Sequence, residues 1–209
     1  MKSAFRNLLV VALLTFAGIT QAAVLGKDYT QLDQPQATPA NGKIEVLEFF
    51  AYPCPHCHHL VPDLNAWEKT MPKNVSLTYV PVVFRDSWEP MAYTFYALEV
   101  LGQQSKLHDA LFEAWNITHT ELNELSQIAA FVAQRGVDKQ KFSDAYRSFS
   151  VQSKVIRSKQ MLQSYNIRGT PTLVVDGRFV ITGLESRDMI RVLRELTDQV
   201  RKERAAKKR

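Results

Sequence analysis

The chain has 209 residues, 45% of them hydrophobic, and a formal net charge of +5. That length and apolar content exclude a disordered polymer and suit one domain, or one domain carrying an inserted subdomain. Nucleic-acid binding is excluded by where the charge lies. Of 26 basic residues, two fall in the first 22 positions and six, with one acid, in 201–209, leaving a body of 18 basic against 20 acidic residues. The basicity therefore reads as a solvated C-terminal tail.

In chain order, residues 1–22 read as a cleaved secretory signal. Lys2 and Arg6 give a positive start, Leu8 to Ile19 an apolar stretch, and Thr20-Gln21-Ala22 small residues ahead of a cut. The apolar stretch is shorter than the roughly 18 residues a membrane span needs, which argues against an uncleaved anchor. The mature chain is thus expected outside the cytoplasm, where disulfides persist. Val24 to Gln31 predicts an edge strand, and a polar loop follows to Asn41-Gly42. Ile44 to Phe50 predicts a buried central strand. Pro53 and Pro55 end it, and helical spacing from Pro55 to about Met71 predicts a helix kinked near Pro62. Val75 to Val83 predicts a neighbouring strand whose ladder is limited by Pro81.

From Trp88 to Tyr165 only helical patterns occur. Met91, Phe95, Leu98 and Leu101 share a face closed by Gly102. Leu107, Leu111 and Trp115 make the next, and Leu122 to Val132 a third, closed by Gly136. Phe142, Tyr146 and Phe149 continue, followed by Val151 to Tyr165. This aromatic stripe reads as packing between helices, not as a cofactor pocket. Strands return at Thr172 to Val175 and Arg178 to Thr182 around an Asp176-Gly177 hairpin turn. Ser186 is the expected N-cap of a last helix burying Met189, Ile190, Leu193 and Leu196. The predicted class is α/β: a first part over 23–86, an all-helical subdomain inserted at 87–165, a second part over 166–200, and a basic tail at 201–209.

Cys54-Pro55-His56-Cys57 holds the only two cysteines. A Cys-x-x-Cys pair where a buried strand hands over to a helix is a redox dithiol by mechanism. Cys54, at the exposed helix end, is the expected attacking thiolate, favoured by unpaired N–H groups and the macrodipole. Cys57, one turn in, is the expected resolving thiol. Pro55 sits in the first turn without losing a hydrogen bond, and His56 adds positive charge beside Cys54. Stabilising the reduced form makes a disulfide an oxidant, so the pair is expected to donate its disulfide. Three other chemistries fit these residues less well. A structural disulfide would close too small a loop to staple the fold. Zinc would crowd Cys54, Cys57, His58 and His59 at one helix start. Cys54 to His58 also spells the c-type haem pattern, which the preceding strand and Pro171 argue against. No metal or cofactor is expected. Glu48 is either an outward-facing edge residue or a buried acid that moves the Cys57 proton. A reductase, an isomerase or a non-redox peptide-binding chaperone are the remaining alternatives, the isomerase lacking a visible dimerisation domain.

Val46-Leu47-Glu48-Phe49-Phe50, Cys54-Pro55-His56-Cys57, the helical insertion, Gly169-Thr170-Pro171, Val175-Asp176-Gly177 and an early Gly26-Lys27-Asp28-Tyr29 resemble the DsbA family of bacterial periplasmic thiol:disulfide oxidoreductases. The likeness covers nearly all of the mature chain. It implies a thioredoxin fold and periplasmic oxidation of reduced, unfolded exported proteins, and a monomer is expected. It further implies reoxidation by the quinone-linked inner-membrane protein DsbB. Pro171 would be a cis-proline beside the thiols, with Thr170 lending backbone to substrate peptides. A low cysteine pKa and an oxidising potential also belong to what the resemblance implies. Two positions depart from the family: Tyr79 stands where a lysine often faces the buried acid, and Pro53 where an aromatic residue often precedes the first cysteine.

Overall fold

The computed structural model describes residues 22–39 and 42–207. The expected leader, but for Ala22, lies outside the described residues. The first strand is shorter than the pattern suggested. Residues 24–29 form a turn with Gly26 at φ +82°, closed by a Leu25–Tyr29 bridge, and the strand itself is Thr30–Gln31 (β1), antiparallel to Phe179–Thr182 (β5). Ile44–Phe50 (β2) is buried on both faces, as its apolar run requires. It pairs in parallel with Val75–Pro81 (β3) and antiparallel with Thr172–Val175 (β4), giving the sheet order β1-β5-β4-β2-β3.

Ile44 and Val46 join a core with Leu60, Leu64 and Trp67 of Pro55–Glu68 (α1) and with Leu193 and Leu196 of Ser186–Ala206 (α7). Leu47 and Phe49 belong to a second core shared with the helical block. That block comprises Glu89–Val100 (α2), Gln104–Asn116 (α3), Leu125–Ala133 (α4), Lys139–Tyr146 (α5) and Phe149–Ser164 (α6). It is inserted between β3 and β4, and the whole is an α/β thioredoxin fold with a helical insertion. α1 runs through Pro62 as one helix.

Three local expectations need correction. Phe149 is 81% exposed, because it is the first residue of α6, where the helix has no preceding turn to pack against. Ser186 is already helical, and Glu185 is the N-cap without a side-chain cap bond. The basic end is not simply a solvated tail. α7 continues to Ala206, and Arg204 binds the Gly42 and Lys43 carbonyls at 3.0 Å and Asp176 at 2.5 Å. Asp176 and Gly177 both take positive φ (56° and 63°), the hairpin turn their sequence signals. At Gly177 a Cβ would also collide with the Gln36 carbonyl of the strap that crosses the turn.

Candidate active site

β2 ends at Phe50, and the turn Ala51-Tyr52-Pro53 leads to Cys54, the N-cap of α1. The Cys54 N–H donates to the Ala51 carbonyl (3.0 Å), and its own carbonyl accepts the first helical bond from His58 N–H (3.1 Å). The Cys57 N–H donates to Cys54 Sγ at 3.4 Å, so the sulfur takes the place a serine hydroxyl would fill in an ordinary cap. Both cysteines are free thiols here. Cys57 has no exposed surface. Cys54 is 6% exposed, contrary to the exposed helix end expected. What covers it is the loop before β4: Cys54 Sγ donates to the Thr170 carbonyl at 3.4 Å, and the Thr170–Pro171 peptide is cis. The pair is remote in sequence and met only through the fold.

The two sulfurs are electrostatically unequal. Cys54 is pulled down to about 5, first by a hydrogen bond from the Cys57 thiol, then, against burial, by one from the Thr170 side chain and by the Cys57 and His56 backbone N–H groups. His56 thus acts on the sulfur through its backbone. Burial pushes the Cys57 thiol up, and its bond to Cys54 and the negative charges of Cys54 and Glu48 push it further. Glu48 is 2% exposed on the central strand, not an outward edge residue. Burial raises its carboxyl to about 8, with smaller contributions from Cys54 and Glu68. Tyr79 lies opposite it in the β2–β3 register and donates its hydroxyl to Glu68 at 3.3 Å.

An open groove of about 340 Å³ beside the thiols is lined by His56, His59, Thr170, Pro171, Leu184 and Met189, among others. A larger hollow of about 600 Å³ between α1 and α3 includes His58, and neither cysteine lines either space. Among the described residues no three His, Cys, Asp or Glu side chains group to hold a metal. With Cys57 fully covered, no porphyrin edge reaches it, which disfavours the haem pattern.

The sequence reading missed His108. It is 5% exposed in α3, its Nδ1 is 2.9 Å from the Tyr52 hydroxyl, and burial lowers it to about 3, so it is neutral. Asn116 of the same helix donates to the Tyr52 carbonyl at 2.9 Å. The turn bearing the thiols is therefore held by the helical insertion. The available signal was position: His108 falls on the Leu107–Leu111–Phe112 side of α3.

Residues 86–193 match the family model described as a DSBA-like thioredoxin domain. The thiol:disulfide interchange protein DsbA of Burkholderia cepacia is 42% identical over 176 residues, covering 82% of this chain and 83% of that protein. The crystal structure of Pseudomonas aeruginosa DsbA superposes with a TM-score of 0.82 at 33% identity, covering 90% of this chain and 97% of that one. The oxidoreductase DsbA from Xylella fastidiosa gives 0.81 at 33% identity, over 86% and 98%. This chain belongs to the DsbA family of thiol:disulfide oxidoreductases.

Proposed function

We propose that the protein donates the Cys54–Cys57 disulfide to reduced, unfolded proteins newly exported to the periplasm. The observation that carries this reading is the inequality of the two sulfurs: Cys54 near 5, Cys57 pushed up by burial. A substrate thiolate attacks Cys54 Sγ, forming a mixed disulfide while Cys57 leaves. The buried Cys57 cannot remain charged and takes a proton; Glu48, protonated at neutral pH with its pKa near 8 and felt electrostatically at Cys57, is the donor in this reading. A second substrate thiolate then attacks the substrate sulfur of the mixed disulfide. Cys54 departs as the stabilised thiolate, so the two electrons lost by the substrate dithiol end on the enzyme pair. A low-pKa leaving thiol makes this last step favourable.

The groove along Thr170 and Pro171 supports a substrate backbone beside Cys54, and His56 and Pro55 tune the helix end. A monomer reoxidised by DsbB fits the family. Residues 1–22 act as the leader that delivers the chain to the periplasm. The test is trapping: with reduced substrate, Cys57→Ser accumulates mixed disulfides and Cys54→Ser forms none. Equal trapping by both variants overturns the roles. A peptide-binding chaperone without redox turnover would keep its activity in Cys54→Ser.

A further inference from the structure

We infer that processing cuts between Ala22 and Ala23 and that the α-ammonium so freed seats on the Glu195 carboxylate of α7, an ion-pair site built for the mature N-terminus. This rests on the reading of residues 1–22 as a cleaved leader. The Ala23 nitrogen lies 2.5 Å from Glu195 Oε2, across 172 positions of sequence. In the uncut chain that nitrogen is a neutral amide. Water, delivered by a signal peptidase, hydrolyses the Ala22–Ala23 bond. Ala22 leaves as the leader's carboxylate, and the Ala23 nitrogen gains protons to become an ammonium, with no electrons transferred.

The nitrogen is held where Glu195 needs it. Val24 N–H donates to Asp28 Oδ2 at 2.9 Å, Asp28 N–H to the Val24 carbonyl at 2.8 Å, and Gly26 N–H to the Tyr29 carbonyl at 2.8 Å. Tyr29 packs edge-on to Phe179 at 5.7 Å, and Ala23 itself packs on the core formed by α1, α7 and the sheet. The sequence points to the same bond. A cut after Ala22 has small residues at both recognition positions, Thr20 and Ala22. A cut one residue later would put Gln21 at the first of them and leave the ammonium on Val24, opposite Asp28.

The charged groups facing the site are Glu195, Arg191, Arg187 and Arg194 from α7, and Asp28 from the turn. Arg191 pairs with Glu195 Oε1 at 3.2 Å, which leaves Oε2 directed at Ala23. Arg187 and Arg194 oppose a cation there, but Glu195 is in contact. The amine pKa should therefore rise above its ordinary value of about 7.7. A folded pKa raised above the unfolded one contributes stability that is full below the unfolded value and lost as pH rises through the folded value.

The experiment exports the full chain, determines the mature N-terminus by mass, and titrates the Ala23 methyl NMR shift against pH in the native protein and in Glu195→Gln. A second comparison unfolds chains beginning at Ala23 and at Gln21. The expected results are an Ala23 start, a raised amine pKa that Glu195→Gln returns to its ordinary value, and a stability advantage of the Ala23 chain that disappears between pH 7 and 10. A start at Val24, or an amine that titrates alike with and without Glu195, overturns the inference. An exported chain left uncut would sink the leader reading itself, whereas an Ala23 start with an ordinary amine sinks the ion pair alone.

Discussion

Reducing the Cys54–Cys57 disulfide should stabilise this protein at and above neutral pH, the reverse of the usual effect. Closing the four-residue ring from Cys54 to Cys57 restricts the unfolded chain by only about 1.9 kcal/mol. Against it stands the Cys54 thiolate, which exists only in the reduced form. Its folded pKa of about 5 lies below an unfolded value of about 8.5. A depressed folded pKa contributes stability that is present above the unfolded pKa and lost as pH falls through the folded one. The contribution is about 2.7 kcal/mol at pH 7 and about 4.4 kcal/mol at pH 8.5. The reduced form should thus lead by about 0.8 kcal/mol at pH 7 and about 2.1 kcal/mol at pH 8.5, where half-ionisation of the unfolded Cys57 subtracts about 0.4 kcal/mol, with the two forms level at about pH 6.4. Above that range the buried Cys57 thiol, whose pKa is raised, costs about 1.4 kcal/mol per pH unit, so the lead passes through a maximum. The burial penalty of Glu48 is common to both forms, and only the smaller repulsion from the Cys54 thiolate subtracts from the reduced one. Urea unfolding of each form between pH 5 and 10, extrapolated to water, measures the difference. An oxidised form that stays the more stable at pH 8.5 would refute a Cys54 pKa near 5 and the disulfide-donating direction with it.

Glu48→Gln should stabilise the protein. A carboxyl raised from 4.5 to about 8 penalises the fold increasingly as pH climbs past 4.5, so the gain should be small at pH 4 and reach about 3 kcal/mol at pH 7. A gain independent of pH in denaturant unfolding would contradict the raised carboxyl pKa. His56→Ser keeps the backbone N–H that Cys54 already uses, so thiolate absorbance should show the Cys54 pKa staying at about 5 and well below about 8.5. A complete climb would make the imidazole, not the helix end, the cause. Arg204→Ala should lower stability by about 1 kcal/mol, allowing for its partial exposure, and leave the Cys54 pKa unchanged. A shift in that pKa would show the clasp reaching the thiols.

The main outline was legible because it is written in short-range signals. The β2 run, the prolines flanking Cys54, the helical periods from Met91 to Tyr165 and Asp176-Gly177 each specify their own backbone. What the sequence did not show depends on partners far along the chain. Cys54 reads as exposed until the Thr170 loop is placed 116 positions later against its sulfur. Glu48 could not be assigned to an edge or a core until β4 and β3 were seen on either side of it. Arg204 is a tail residue by composition and a clasp only once Asp176 and the start of β2 are brought to it. His108 is hidden among helix residues because its partner, Tyr52, precedes it by 56 positions.

The hold of α3 on Tyr52 bears on what could be trimmed from this protein. A shortened chain joining β3 directly to β4 would keep both sulfurs, Glu48 and the Thr170–Pro171 loop. It would lose the donor that Asn116 supplies to the Tyr52 carbonyl and the ring nitrogen that meets its hydroxyl. Two polar atoms would be left without partners two residues from Cys54, and each such orphan, if it stayed buried, costs about 1–3 kcal/mol. The turn would have to move to rehydrate them, carrying Cys54 with it. The insertion is therefore not a detachable lid on an independent thioredoxin unit. It is part of what fixes the sulfur in space, and miniaturised versions of the enzyme would need a new partner for Tyr52 before they needed anything else.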